Sequence, residues 1–197
     1  MNRNLQKILR IEQALYGPDG PFALEESLVL GERIKVFANR ASSLRALIEV
    51  SAFFGEKEYI VYEDRRVSYA EHLKAVASVA KALQDKYGIR KGDRVAILSA
   101  NNPEWIVTFW ATVSLGAIAV GLNGWWVADE IVYGLEDSRP KLLVGDEKRL
   151  ARLDGRHVPV PIVRIEREFE RLWNYDANAS LCTEPIEEDD PACILYT

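Results

Sequence analysis

The chain has 197 residues, 48% of them hydrophobic and 10% aromatic, enough for one substantial core or one core with a small appendage. Lysine and arginine number 25 against 30 acidic residues, and the signs are interspersed at a net charge of -5, which excludes a basic stripe for nucleic acid. The two cysteines, Cys182 and Cys193, have no metal-ligand spacing, and the second sits in an apolar run that reads as a buried strand, so a reduced, cytoplasmic protein is expected.

Leu5, Ile8, Leu9 and Leu15 recur at helical spacing up to Gly17-Pro18, which predicts an amphipathic helix and then a turn-rich lead-in. Its apolar residues are too often interrupted for a secretory signal. Residues 1–40 therefore read as a helix with its lead-in, and 41–197 as an α/β portion. A second helix is predicted over 43–54, closed by Gly55. The β-formers at 59–62 and 66–67, separated by Glu63-Asp64-Arg65, then predict a short antiparallel hairpin. Ser68 with Glu71 makes a capping box, and apolar residues at steps of four and three carry the next helix to Gly88. His72 falls on the side of this helix expected to face solvent.

From residue 94 the pattern alternates strand and helix. Strands are predicted at 94–98, 117–122, 141–144, 160–165 and 192–196. Asn102-Pro103 starts a helix after the first of them, Asp129 caps one after the second, and short helices follow at 147–153 and 166–173. The apolar run at 105–120 holds Thr108, Thr112, Ser114 and Gly116 and falls short of a membrane span. Residues 174–191 are polar and read as a solvated loop. The expected fold is α/β, a largely parallel sheet flanked by helices and preceded by a short antiparallel hairpin.

Ligands of an open α/β sheet bind beyond the carboxyl ends of its strands, which points to Ser99, Asn123, Asp146 and Thr197. A phosphate site there needs small residues whose N–H groups converge on an anion. No such loop precedes Thr197, and Gly121-Leu-Asn-Gly124 reads as a tight turn. His72 and His157 have no nucleophile or metal partner at a telling spacing, so neither a catalytic nor a metal-ligating residue is predicted. Trp125 and Trp126, just past a strand end, read first as packing residues and second as the lining of a substrate channel.

Three segments carry a resemblance. Val67-Ser-Tyr-Ala-Glu71 with the strand lead-in from Arg90 to Leu98, the run from Ser114 to Asn123, and Ile194-Leu-Tyr-Thr197 occur in the order seen in adenylate-forming enzymes. They resemble AMP-forming acyl-CoA synthetases, with Gly121 where the family usually has proline. Asn101-Asn-Pro-Glu-Trp105 is more similar to fatty-acyl-CoA ligases than to other branches. The resemblance implies an incomplete part of the family's large N-terminal domain, ending where the phosphate-binding loop begins at Tyr196 and Thr197. It further implies a parent that converts a fatty acid or other carboxylate with ATP and Mg²⁺ to an acyl-adenylate and passes it to coenzyme A. This stretch by itself is expected to be inactive, to bind no cofactor, and to self-associate through exposed apolar surface. The alternatives are a non-catalytic interaction domain that kept the family's sheet, and an unrelated nucleotide-binding α/β module.

Overall fold

The computed structural model describes residues 3–196, so Thr197 lies outside the described residues. The chain divides into two compact units, one ending at Ser42 and the other beginning at Ser43. The first holds α1 (Arg3–Tyr16) and an antiparallel pair, β1 (Leu24–Val29) and β2 (Glu32–Phe37). Val29 pairs with Glu32, leaving Leu30 and Gly31 as a two-residue turn with φ of 49° and 91°. Two positive φ values match the twist of the flanking strands, but asparagine or glycine usually supplies the first. The lead-in predicted as turns is thus a hairpin whose turn signal is masked by a leucine.

The second unit begins with α2 (Leu44–Ser51), which Ser43 caps by accepting the Ala46 N–H, and a 3₁₀ turn (Ala52–Phe54) ending at Gly55 with φ 53°. The predicted hairpin follows as β3 (Glu58–Tyr62) and β4 (Arg65–Ser68). Helix α3 (Tyr69–Tyr87) has both arms of the Ser68–Glu71 capping box and ends on Gly88 in the left-handed conformation. Alternation then runs through β5 (Arg94–Leu98), α4 (Pro103–Ser114), β6 (Ile118–Gly121), α5 (Ala128–Ser138), β7 (Leu142–Gly145) and α6 (Glu147–Leu150). It closes with β8 (Ile162–Arg164), α7 (Ile165–Trp173) and β9 (Cys193–Leu195). Asn102 caps α4 as predicted. Asp129 instead lies in the first turn of α5, where the Glu130 carboxylate accepts the Val127 N–H and closes the helix start.

Strands β5 to β9 form one parallel sheet in the spatial order β8-β7-β5-β6-β9. Alternate strand residues face opposite ways, so each strand feeds two cores. Val95, Leu142, Val144 and Val163 meet α2, α3, α4 and α7 on one face. Ala96, Leu98, Val120 and Leu143 meet α5 and α6 on the other. Burial on both faces is why these strands read as continuous apolar runs rather than alternating ones.

Two expectations are corrected by packing. His72 is 1% exposed, because the β3–β4 hairpin folds over that side of α3 and sets the Tyr59 ring 4.5 Å from the imidazole. Cys193 is exposed, because β9 is an edge strand and only Ile194 of its three residues turns into a core. The 174–191 segment is the solvent-exposed loop expected, and it is also tied to the body of the unit. The Asp176 N–H donates to Ser78 Oγ at 3.0 Å, Arg45 Nη2 donates to the Glu184 carbonyl at 2.7 Å, and Lys91 pairs with Asp190 at 2.6 Å.

Candidate functional site

The connection leaving β5 crosses one face of the sheet, while those leaving its neighbours β6 and β7 cross the other. The chain therefore parts at the carboxyl end of β5, the place where open α/β sheets bind ligands. Asp146, directly after β7, organises that edge and is 5% exposed. Its Oδ2 accepts the Ala100 N–H at 2.8 Å and Arg149 Nη1 at 2.7 Å, and its Oδ1 accepts the Arg149 N–H at 2.8 Å. One carboxylate thus joins the end of β7 to the loop after β5 and caps α6. Next to it, Ser99 Oγ accepts from Asn102 Nδ2 at 2.8 Å, while Asn102 Oδ1 accepts the Trp105 N–H at 2.8 Å.

After β6, the turn around Asn123 is clamped by Arg152, whose Nη1 donates to the carbonyls of Gly124 and Trp126 at 2.8 Å each. Trp126 lies against α5, where a Cβ on Gly134 would come within 2.8 Å of its ring. Tyr196, the residue after β9, meets the same ring edge-on at 5.2 Å and donates its hydroxyl to Asp137 at 2.8 Å. Burial, and then the Asp137 carboxylate, raise the Tyr196 pKa, so the phenol stays protonated and keeps that bond. Trp125 is 87% exposed. Of the predicted residues, the structure brings Tyr196 and Trp126 into contact and leaves Trp125 apart, while Asp146 falls at the carboxyl edge as its position after β7 required. Arg149 and Arg152 were missed, and only the spacing of Arg149 three residues after a capping Asp could have signalled the first.

The glycines at this edge do not open a cradle for phosphate. A Cβ on Gly121 would meet Leu195 at 3.1 Å, one on Gly124 would meet Arg149 at 2.7 Å, and one on Gly145 would meet Leu150 at 2.9 Å. This chain's own side chains fill the space that small residues leave, and Asp146 already takes three donors. The described residues therefore do not by themselves fit ATP with magnesium, and no chemical step is assigned to them. Among the described residues no three or more His, Cys, Asp or Glu side chains cluster to hold a metal, and no helix is long and apolar enough to cross a membrane.

Residues 48–197 match the model of the family described as AMP-binding enzyme. The chain is similar to 2-succinylbenzoate–CoA ligase of Bacillus velezensis, with 34% identity over 151 residues, 77% of this chain and 30% of that protein. It is similar to crotonobetaine/carnitine–CoA ligase of Salmonella heidelberg, with 33% identity over 174 residues, 76% of this chain and 32% of that protein. Its fold superposes on the N-terminal domain of FACL13 from Mycobacterium tuberculosis with a TM-score of 0.70 at 27% identity, over 79% of this chain and 41% of that one. The chain thus spans about a third of the length of these ligases. With the segments in family order, the parallel sheet in place and three quarters of the residues matched, the chain belongs to the AMP-binding enzyme family, the adenylate-forming CoA ligases.

Proposed function

We propose that the chain forms the first part of the AMP-binding domain of a fatty-acid–CoA ligase, with residues 1–40 as a separate lead-in and 41–197 as the sheet that presents the nucleotide site. One observation carries this reading. Strand β9 pairs in parallel with β6 and brings Tyr196 to the carboxyl edge of the sheet, where the family's glycine-rich phosphate loop would follow. In the parent, a substrate carboxylate attacks the α-phosphate of ATP, pyrophosphate leaves, and the thiol of coenzyme A displaces AMP from the acyl-adenylate. Bound ATP with Mg²⁺ supplies the electrophilic phosphorus, and coenzyme A the accepting thiol.

The role of this chain in that reaction is positional. Tyr196, held by Asp137 and Trp126, fixes the direction in which the chain leaves β9, and Thr197 would offer the first hydroxyl of the loop. Trp126 acts as packing for this lead-in, and the exposed Trp125 faces either the rest of the domain or the acyl channel. The test is carboxylate-dependent exchange of labelled pyrophosphate into ATP, run across acyl chain lengths with the product of the complete gene and with residues 1–197 alone. Exchange by the complete product with fatty acids, and none by the 197-residue chain, is expected. Exchange by the short chain, or preference for a non-fatty carboxylate, would overturn the corresponding part of the proposal.

A further inference from the structure

Strand β9 is three residues long and, among the described residues, pairs with β6 alone. Cys193, Ile194 and Leu195 are all apolar, so burial of one face selects its register only weakly. A one-residue slip would move the strand end by about 3.3 Å and turn its side chains to opposite faces. Tyr196 secures the carboxyl end through Asp137. At the amino end the 174–191 segment arrives under two cationic ties. Arg45 of α2 donates from Nη1 to the Ser114 carbonyl at 3.2 Å and from Nη2 to the Glu184 carbonyl at 2.7 Å. Lys91, in the turn before β5, donates from Nζ to the Pro185 carbonyl at 3.0 Å and pairs with Asp190 at 2.6 Å.

Both ties start from the place where α4 ends and β6 begins. Ser114 is the last residue of α4, and the Gly116 carbonyl, just before β6, accepts the Gly92 N–H at 2.9 Å. A Cβ on Gly116 would meet the Lys91 stem at 3.0 Å and Ile186 at 3.3 Å, so the lysine and the segment close down on this glycine together. Asp190 also accepts the Glu187 N–H at 2.6 Å, which makes residues 187–190 a closed turn rather than slack chain. Directly after it the chain docks on the sheet, where the Ala119 N–H donates to the Ala192 carbonyl at 3.0 Å. From this geometry we infer that Arg45 and Lys91 are positioning residues for the nucleotide site. They hold the segment at a fixed distance from the start of β6, set the register of β9, and thereby decide where the chain beyond Tyr196 emerges at the carboxyl edge. The link to ATP rests on the function proposed above, whereas the register of β9 is a property of this chain alone.

The test follows two amides of the 197-residue chain by hydrogen exchange. Ala119 reports β9 on β6, and Leu143, whose N–H donates to the Pro161 carbonyl at 3.0 Å between β7 and β8, is the control. Lys91→Met keeps the aliphatic stem over Gly116 and removes the ammonium, and Arg45→Met removes the guanidinium. Each should speed exchange at Ala119 about ten-fold and leave Leu143 within about two-fold, whereas general destabilisation would speed both alike. Lys91→Arg, which keeps a charged donor, should stay near the wild type at both amides. In the complete gene product the two Met variants should raise KM for ATP about ten-fold in pyrophosphate exchange and leave KM for the carboxylate within about two-fold, with Lys91→Arg restoring the first. If one Met variant does not fold, the other carries the comparison together with Asp190→Asn, which weakens the ion pair from the segment's side. Equal acceleration of the two amides, no change at Ala119, or an unchanged KM for ATP in an active product would each overturn the inference. A complete wild-type product without exchange activity would overturn the proposed reaction and with it the link to ATP, while the amides would still decide what sets the register of β9.

Discussion

Burial lowers the His72 pKa from 6.5 to about 4, and the consequence for stability has a definite sign. Between those values the unfolded chain binds a proton that the folded chain does not, so acid favours unfolding. The contribution is complete above about pH 6.5 and is lost as pH falls toward 4, about 3 kcal/mol over the whole window. Urea unfolding at pH 7.5 and pH 5.0 should show the wild type losing about 2 kcal/mol more than His72→Leu, before most carboxylates begin to titrate. Equal losses would mean that the imidazole is not held neutral in the fold. The pattern of α3 could not reveal this burial, because the helix stripe records one apolar face and the β3–β4 hairpin covers a second side. Asp146 was the opposite case. Its position after a strand marked it from topology alone, yet its bond to the Ala100 N–H joins residues 46 apart, which no local spacing encodes.

Element boundaries were most legible where a cap carries its own chemistry. Ser68 with Glu71, Asn102 with Pro103 and Gly88 each set a helix end through bonds within a few residues, and the structure places those ends where the sequence reading did. The β1–β2 hairpin was not legible, since Leu30 takes a backbone conformation that leucine seldom signals. Helix α5 shows how packing overrides propensity. Gly134 weakens the helix, but it lets the Trp126 ring pack close against α5 beside Leu122. Gly134→Ala would gain up to about 1 kcal/mol of helix propensity, against a methyl placed 2.8 Å from the ring. Net destabilisation of about 1 to 2 kcal/mol is expected in chemical denaturation, with a changed near-ultraviolet dichroism signal from the displaced tryptophan. A stabilised variant would show that Trp126 swings freely off the helix.

At the scale of the whole molecule, a good deal of apolar surface is left uncovered. In the second unit Phe53 is 88% exposed, Trp125 87% and Leu195 72%. Such surface drives association, so the isolated chain should show a mass rising with concentration in sedimentation equilibrium up to about 0.1 mM. Trp125→Ser should reduce that rise if the tryptophan is part of the contact, and a constant monomer mass for the wild type would reject the expectation. The sequence by itself determined the alternation of strands and helices, the caps and the family, because periodicity, capping bonds and motifs are all carried by short stretches of chain. Only the tertiary structure decided the strand order β8-β7-β5-β6-β9, the burial of His72, the exposure of Cys193 and the strapping of the 174–191 segment. Each of those depends on which distant element packs against a residue, and that is settled by three-dimensional burial rather than by neighbours in sequence.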